Sequence, residues 1–241
     1  MESGKYRIAG RVVEIRSLYA QVQRYCADYA VQADTPADYI VEMSQQVIDA
    51  ERSCQPENDR MLYPDSYIEE LAVYRCIAEQ MAFYDTLLMH GSVLALDGRA
   101  YLFTAPSGTG KSTHARMWRE TFGERVVMVN DDKPLIGLTG EKPLVYGTPY
   151  NGKHGLGGNL SAPLCGICIL SQAPENHIEP IERSAAYVRL LQQIYRPRQP
   201  EQLQLVMALF DRLLAQTPLY QMGCTISHEA AEMAYEMMRG K

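Results

Sequence analysis

The sequence predicts an α/β fold, and three observations support this prediction. A strand, a glycine-rich loop, a helix and a second strand follow one another between residues 99 and 130. The apolar run at 162–172 has the composition of a buried strand. The C-terminal third is mainly helical, with apolar periodicity at roughly 183–195, 200–216 and 227–238. Strands that alternate with helices favour a sheet covered by helices.

The first 84 residues are predicted to form a small α+β lobe followed by a helix, and they contain no chemical motif. The predicted elements are two strands within 5–15, a helix at 17–31, a strand at 38–43 and a long helix at 65–84. All the candidate functional residues lie in 85–241, which is predicted to be the catalytic domain.

The composition narrows the classes of function. The chain has 241 residues, 46% of them hydrophobic, and a net charge of −6. An acidic surface argues against binding to nucleic acid or to an anionic membrane. Neither a signal-peptide pattern nor an apolar run of membrane-spanning length is visible, so we expect a cytoplasmic protein. The six cysteines are scattered, and Cys165 and Cys168 are expected to pack in a strand rather than to bind metal.

The segment "APSGTGKS" at 105–112 follows the phosphate-binding pattern G-x-x-x-x-G-K-[ST], except that Ala105 replaces the first glycine. A β-rich strand precedes it and an amphipathic helix follows it, as that pattern requires. Alanine is acceptable at this position if its φ stays negative. The residues predicted to bind a nucleotide are Ser107, Gly108, Thr109, Gly110, Lys111, Ser112 and Thr113.

Each residue that matches the phosphate-binding pattern has a physical role in this loop. Glycines allow backbone N–H groups to turn inward and surround phosphate oxygens, and the following helix adds the positive end of its dipole. Lys111 is predicted to neutralise the β- and γ-phosphates, and the Ser112 hydroxyl to bind Mg²⁺. ATP and Mg²⁺ are therefore the expected cofactors.

A second motif is "RVVMVNDD", an apolar strand that ends in Asp131 and Asp132. Asp131 comes twenty residues after Lys111, a spacing that fits a neighbouring strand of the same sheet. One carboxylate is predicted to hold Mg²⁺ and the other to accept the proton of an attacking hydroxyl. We assign Asp131 to the metal and Asp132 to the base, although these two roles could be exchanged.

Several nucleotide-binding classes do not fit. The base-reading N-K-x-D motif of small GTPases is missing, because the chain has only "NGKH" at 151–154. The L-S-G-G-Q signature of ABC ATPases and the H-R-D and D-F-G motifs of protein kinases are also missing.

The order of the motifs resembles the HPr kinase/phosphorylase family, which shares its core with ATP-using phosphoenolpyruvate carboxykinases. His90-Gly91 precedes the strand pair, the phosphate-binding loop follows, and one helix later come Asp131 and Asp132. The resemblance implies a mixed β-sheet around a P-loop core and places His90 at the edge of the active site. Thr113 stands where HPr kinases usually carry glutamate, and "YNGKHGLGG" replaces their signature loop with one that carries Lys153. HPr itself as the acceptor and a phosphorylase activity are therefore left open.

The resemblance implies an ATP-dependent kinase that transfers the γ-phosphoryl group to a hydroxyl, most readily a serine of a small protein or peptide. His90, Lys111, Asp131, Asp132 and Lys153 are the predicted catalytic residues. Two alternatives are a kinase for a small molecule such as free serine, and a non-catalytic nucleotide-binding module that recognises peptides. His114 is interpreted as a structural residue that faces outward from the helix. The resemblance also leaves a homo-oligomer open.

Overall fold

The computed structural model describes residues 2–57, 60, 62–152 and 154–240. It divides into two compact units, Met1–Met81 and Ala82–Lys241. Both units combine helices with a β-sheet, and the second unit contains a large mixed sheet. The predicted α/β class with a mixed sheet is confirmed.

The first unit is built on a three-stranded sheet in the order β1-β2-β3. Its strands are β1 (Glu2–Ile8), β2 (Arg11–Ser17) and β3 (Tyr39–Glu42), and its helices are α1 (Ala20–Tyr25), α2 (Gln45–Cys54) and α3 (Asp65–Met81). Strands β1 and β2 are antiparallel, and the turn between them places Ala9 and Gly10 at φ of 47° and 78°. Helix α2, which the sequence did not predict, begins after Ser44, whose side chain accepts a hydrogen bond from the Val47 N–H.

The helix predicted at 17–31 is shorter in the structure. Helix α1 ends at Tyr25, and a short 3-10 turn follows at Ala27–Tyr29. The chain then returns to β1, where the Val31 N–H donates to the Lys5 carbonyl at 2.9 Å. Pairing with β1 therefore overrides the helical apolar spacing of this segment.

The second unit contains one mixed sheet. Its strands are β4 (Thr86–Leu88), β5 (Ser92–Leu96), β6 (Arg99–Thr104), β7 (Val126–Asn130), β8 (Leu135–Gly137), β9 (Leu144–Tyr146), β10 (Ser161–Gln172), β11 (His177–Pro180) and β12 (Leu219–Cys224). Their order is β4-β8-β9-β10-β6-β5-β7; β12 also pairs with β10, and β11 with β12. Strand β10 is parallel to β6 and β12, whereas the other pairs are antiparallel.

The expectation that the strand ending in Asp131 would lie beside the strand before the phosphate-binding loop is wrong. Strand β5 lies between β6 and β7, because the Asp97-Gly98 turn folds β5 and β6 into a hairpin that occupies that edge of β6. Strands β6 and β7 are both antiparallel to β5 and therefore run in the same direction. Their carboxyl ends meet at one sheet edge, on either side of the start of β5.

Helices cover the two faces of this sheet. The helices of this unit are α4 (Lys111–Phe122), α5 (Arg183–Leu191), α6 (Pro200–Gln216) and α7 (His228–Met238). Alternate strand residues enter two separate cores: an aliphatic core with α5 and α6, and an aromatic core with α4 and α7. Within the residues that the structure describes, no helix combines the length and apolarity needed to span a membrane.

Candidate active site

The phosphate-binding loop joins β6 to α4 at the carboxyl edge of the sheet. Gly108 and Gly110 adopt φ of 81° and 116°, which glycine allows and other residues rarely adopt. Ala105 keeps a negative φ, and its methyl group is buried in the aromatic core. The structure thus explains why alanine fits where the usual pattern has glycine. The Lys111 Nζ donates to the Ala105 carbonyl at 2.9 Å.

Helix α4 is anchored through its aromatic side. Trp118 is fully buried, and its Nε1–H donates to His114 Nε2 at 3.0 Å. The His114 ring also contacts the edge of Phe103, with the ring centroids 4.6 Å apart. The expectation that His114 faces outward is wrong, because the ring is only 3% exposed. Burial lowers the pKa of His114 to about 4, so the imidazole is neutral at pH 7.

Asp131 and Asp132 directly follow β7 and have different surroundings. Asp131 is 7% exposed and accepts a hydrogen bond from the Ser92 hydroxyl at 2.7 Å. Asp132 is more exposed, and its Oδ1 lies 3.4 Å from His90 Nε2. Its Oδ2 lies 3.9 Å from Lys133 Nζ. We call residues 130–133 the carboxylate turn.

Asn130 holds the carboxylate turn in shape. Its Oδ1 accepts hydrogen bonds from the N–H groups of Asp132 and Lys133, at 2.9 and 2.7 Å. Its Nδ2 donates to the Thr148 hydroxyl at 3.0 Å and to the Tyr150 carbonyl at 3.4 Å. Sequence reasoning missed Asn130; the only signal was a polar residue at the end of an apolar strand.

His90 lies between the phosphate-binding loop and the carboxylate turn. Its Nδ1 is 3.1 Å from Gln193 Oε1, and its carbonyl accepts a hydrogen bond from the Thr104 hydroxyl at 2.8 Å. Burial, with the nearby charge of Lys111, lowers the pKa of His90 below its ordinary value. Burial also lowers the pKa of Lys111, although Asp132 and Asp131 oppose this shift.

A pocket of about 400 Å³, which we call the central pocket, brings most of the predicted site residues together. Its lining comprises His90, Ser107, Gly108, Gly110, Lys111, Ser112, Thr113, Asp131, Asp132, Gly152 and His154. Lys153, a predicted catalytic residue, lies outside the described residues. Its neighbour His154 is a lining residue that sequence reasoning missed.

A second pocket of about 380 Å³ lies on the other side of the phosphate-binding loop, and we call it the apolar pocket. It contains Thr109, the one predicted nucleotide-binding residue absent from the lining of the central pocket. Its lining comprises Gly108, Thr109, Gly110, Thr113, His114, Met117, Gln172, Ala173, Cys224, Thr225 and Ile226. The pocket therefore lies at the carboxyl ends of β10 and β12, away from the carboxylate turn.

The donor set of the central pocket fits a magnesium ion that is shared with phosphate. Ser112 and Asp131 both line this pocket and offer oxygen atoms, the ligands that Mg²⁺ prefers. In the part of the chain that the structure describes, no group of three or more His, Cys, Asp or Glu side chains is arranged to hold a metal. Such a sparse protein ligand set is usual where substrate phosphates and water complete the coordination of Mg²⁺.

Comparisons with known proteins add little to this geometry. No protein-family model matches the chain, and no curated protein matches it. Among solved structures, the chain is similar to the Hpr(Ser) kinase/phosphatase from Coxiella burnetii, with 10% sequence identity and a TM-score of 0.33. The match covers 63% of this chain and 94% of that chain. Values this low carry no argument about function, so the function has to be argued from the site.

Proposed function

We propose that the protein is an ATP-dependent kinase that transfers the γ-phosphoryl group of ATP to a hydroxyl. One observation carries this proposal: the lysine of a phosphate-binding loop and two adjacent aspartates line the same pocket. Phosphoryl transfer needs these groups, because catalysis consists mainly of positioning the phosphate and stabilising its charge.

The two pockets provide for the two ends of ATP. The glycine-rich loop and the first turn of α4 lie between them, where backbone N–H groups and the helix dipole favour the phosphates. The γ-phosphoryl group would lie in the central pocket, beside Lys111 and next to the Mg²⁺ held by Asp131. The apolar pocket, with Met117 and Ile226 in its lining, takes the nucleoside.

Ser112 and Asp131 would hold Mg²⁺, which neutralises phosphate charge when it is bound. The Asp131 carboxylate is suited to this task because the Ser92 hydroxyl fixes one of its oxygens in a buried position. Lys111, which lines the same pocket, adds a positive charge. The charge on the phosphates is thus balanced by both cations.

Asp132 is the proposed base. It is the more exposed of the two aspartates, so an acceptor hydroxyl can reach it. The acceptor oxygen forms a bond to the γ-phosphorus, the bond from that phosphorus to the β-phosphate oxygen breaks, and ADP leaves. The hydroxyl proton passes to Asp132. His90, held by Gln193 on its other nitrogen, orients the Asp132 carboxylate.

The proposed acceptor is a serine of a small protein or peptide. This part of the proposal depends on the resemblance of the motif order to the HPr kinases, in which His-Gly, the loop and the double aspartate occur in the same sequence. A cytoplasmic location is also proposed.

A transfer assay with γ-labelled ATP tests the proposed activity. We expect the full chain to move label to serine-containing peptides in the presence of Mg²⁺. The variant Lys111→Ala should lose this activity about 100-fold or more. The control is Lys142→Ala, because Lys142 is exposed and does not line the central pocket. ATP binding with no transfer to any hydroxyl acceptor would contradict the proposal.

A further inference from the structure

A third pocket, of about 460 Å³, extends from the central pocket along helix α4, and we call it the arginine pocket. It shares Ser112, Thr113, Asp131 and His154 with the central pocket. The rest of its lining consists of Ala115, Arg116, Arg119 and Leu156. The phosphoryl-transfer mechanism described above uses neither arginine.

Both arginines line the arginine pocket, and neither is tied up in a strong ion pair. The Nε of Arg119 is buried and has no hydrogen-bond partner among the described residues. The Nε of Arg116 lies 3.9 Å from Glu120 Oε1, and their side chains are 54% and 47% exposed. An ion pair of this length and exposure contributes little to stability. A carboxylate in this pocket would bind the partly exposed side chain of Arg119 and compete with Glu120 for Arg116.

The positions of the two arginines on α4 give their distances from Ser112, a proposed Mg²⁺ ligand. Ser112, Arg116 and Arg119 lie four and three residues apart, so they share one face of the helix. At about 1.5 Å per residue, the two arginines lie about 6 and 10 Å along the helix axis from Ser112. An extended peptide advances about 3.3 Å per residue. Its acidic side chains would match the arginines at positions about two and three residues from the reacting hydroxyl.

We propose that the arginine pocket binds the acceptor of the kinase, and that this acceptor is a peptide segment with Asp or Glu two or three residues from the target hydroxyl. The inference rests on the proposed kinase function, because that function places the reacting hydroxyl at Asp132, next in the chain to Asp131, which lines both pockets. The spacing given above applies when this hydroxyl lies level with Ser112 along the axis of α4. The nucleoside does not compete for this space, since the apolar pocket lies at the ends of β10 and β12. The net charge of −6 disfavours non-specific binding of an acidic peptide elsewhere on the chain.

A binding measurement tests the proposal without requiring catalysis. The full chain is loaded with Mg²⁺ and a non-hydrolysable ATP analogue and titrated with two fluorescent serine peptides. One peptide carries glutamates two and three residues from the serine, and the other carries glutamines there. Each peptide is made in both directions, with these residues before or after the serine.

We expect the wild-type chain to bind one glutamate peptide about tenfold more tightly than its glutamine counterpart. The preference should fall about fivefold in Arg119→Ala and disappear in the variant that combines Arg116→Ala with Arg119→Ala. Arg189→Ala, on α5 and outside the arginine pocket, should keep it. Equal binding of glutamate and glutamine peptides by the wild type, or a preference that survives in the double variant, overturns the proposal. Affinity for the ATP analogue and the melting temperature should be unchanged in all three variants.

Transfer from labelled ATP to the same peptides separates this proposal from the kinase function. Arginine-dependent binding of the glutamate peptide without phosphorylation would remove the kinase function and leave the arginine pocket as a peptide-binding site. Equally fast phosphorylation of the glutamate and glutamine peptides would support the kinase function and remove the role of the arginines.

Discussion

The phosphate-binding loop and the carboxylate turn both line the central pocket, but they are held in shape in different ways. The loop is held by segments adjacent to it in sequence, with β6 before it and α4 after it. Within the loop, Gly108 and Gly110 have positive φ, and Lys111 donates a hydrogen bond to the Ala105 carbonyl. The carboxylate turn depends on side chains and backbone from distant segments, including Ser92, His90 and Thr148. Local sequence therefore determines the loop, whereas the turn combines the local bonds of Asn130 with contacts from distant segments.

A large expected effect tests the metal role of the carboxylate turn. Asp131→Asn removes a negative oxygen from the proposed Mg²⁺ site, so transfer should fall about 1,000-fold. The rate is measured over a range of Mg²⁺ concentrations. The control Ser92→Ala keeps the Asp131 carboxylate but removes the hydroxyl that donates to it. This variant should lower the rate about tenfold. An Asp131→Asn enzyme that works within tenfold of wild type at saturating Mg²⁺ would refute the metal role.

A second change tests whether side chains hold the carboxylate turn. Asn130→Ala leaves the N–H groups of Asp132 and Lys133 without their acceptor. We expect the free energy of unfolding to fall by about 3 kcal/mol, measured by urea denaturation. Thr148→Val removes one partner of Asn130 and should cost about 1 kcal/mol. Equal losses in the two variants would mean that the turn keeps its shape without Asn130.

The support beneath the phosphate-binding loop can be tested by pH. Folding lowers the pKa of His114 from 6.5 to about 4. As the pH falls, His114 is therefore protonated in the unfolded chain before it is protonated in the folded protein. The free energy of unfolding should lose about 3 kcal/mol from this group between pH 6.5 and pH 4. In His114→Gln, which retains an acceptor for Trp118, that contribution should be missing. Parallel stability curves for the two proteins over this range would contradict the buried, neutral His114.

The smallest effect tests the loop backbone. Gly110 has φ of 116°, and a Cβ there would meet no atom within 4 Å. Gly110→Ala should therefore destabilise the protein through backbone strain alone, by about 1–2 kcal/mol in thermal unfolding. The control is Gly140→Ala, because Gly140 has no positive φ. If both variants melt at the same temperature, the loop does not depend on the glycine conformation.

The difference between local and distant contacts also explains which features the sequence could predict. The α/β class and helix α4 after the loop are both present, because apolar spacing and the loop pattern act over short distances. The predicted position of β7 beside β6 was wrong, because the number of residues between the two motifs does not reveal that β5 lies between these strands.

The missed residues need tertiary structure to bring them together. Gln193 contacts His90 across 103 positions of sequence, and Ser92 contacts Asp131 across 39. His114 was expected to face outward, but its ring packs against Phe103 and accepts a hydrogen bond from Trp118. A polar side chain with a hydrogen-bond partner in an aromatic core cannot be recognised from a local pattern.

The most direct test of the account is Asp132→Asn, measured for both ATP affinity and phosphoryl transfer. The substitution removes the proposed base and leaves the phosphate-binding loop intact. We predict an ATP dissociation constant within about threefold of wild type and single-turnover transfer slower by about 100- to 10,000-fold. Transfer at the wild-type rate with unchanged ATP affinity would contradict the assignment of Asp132 as the base.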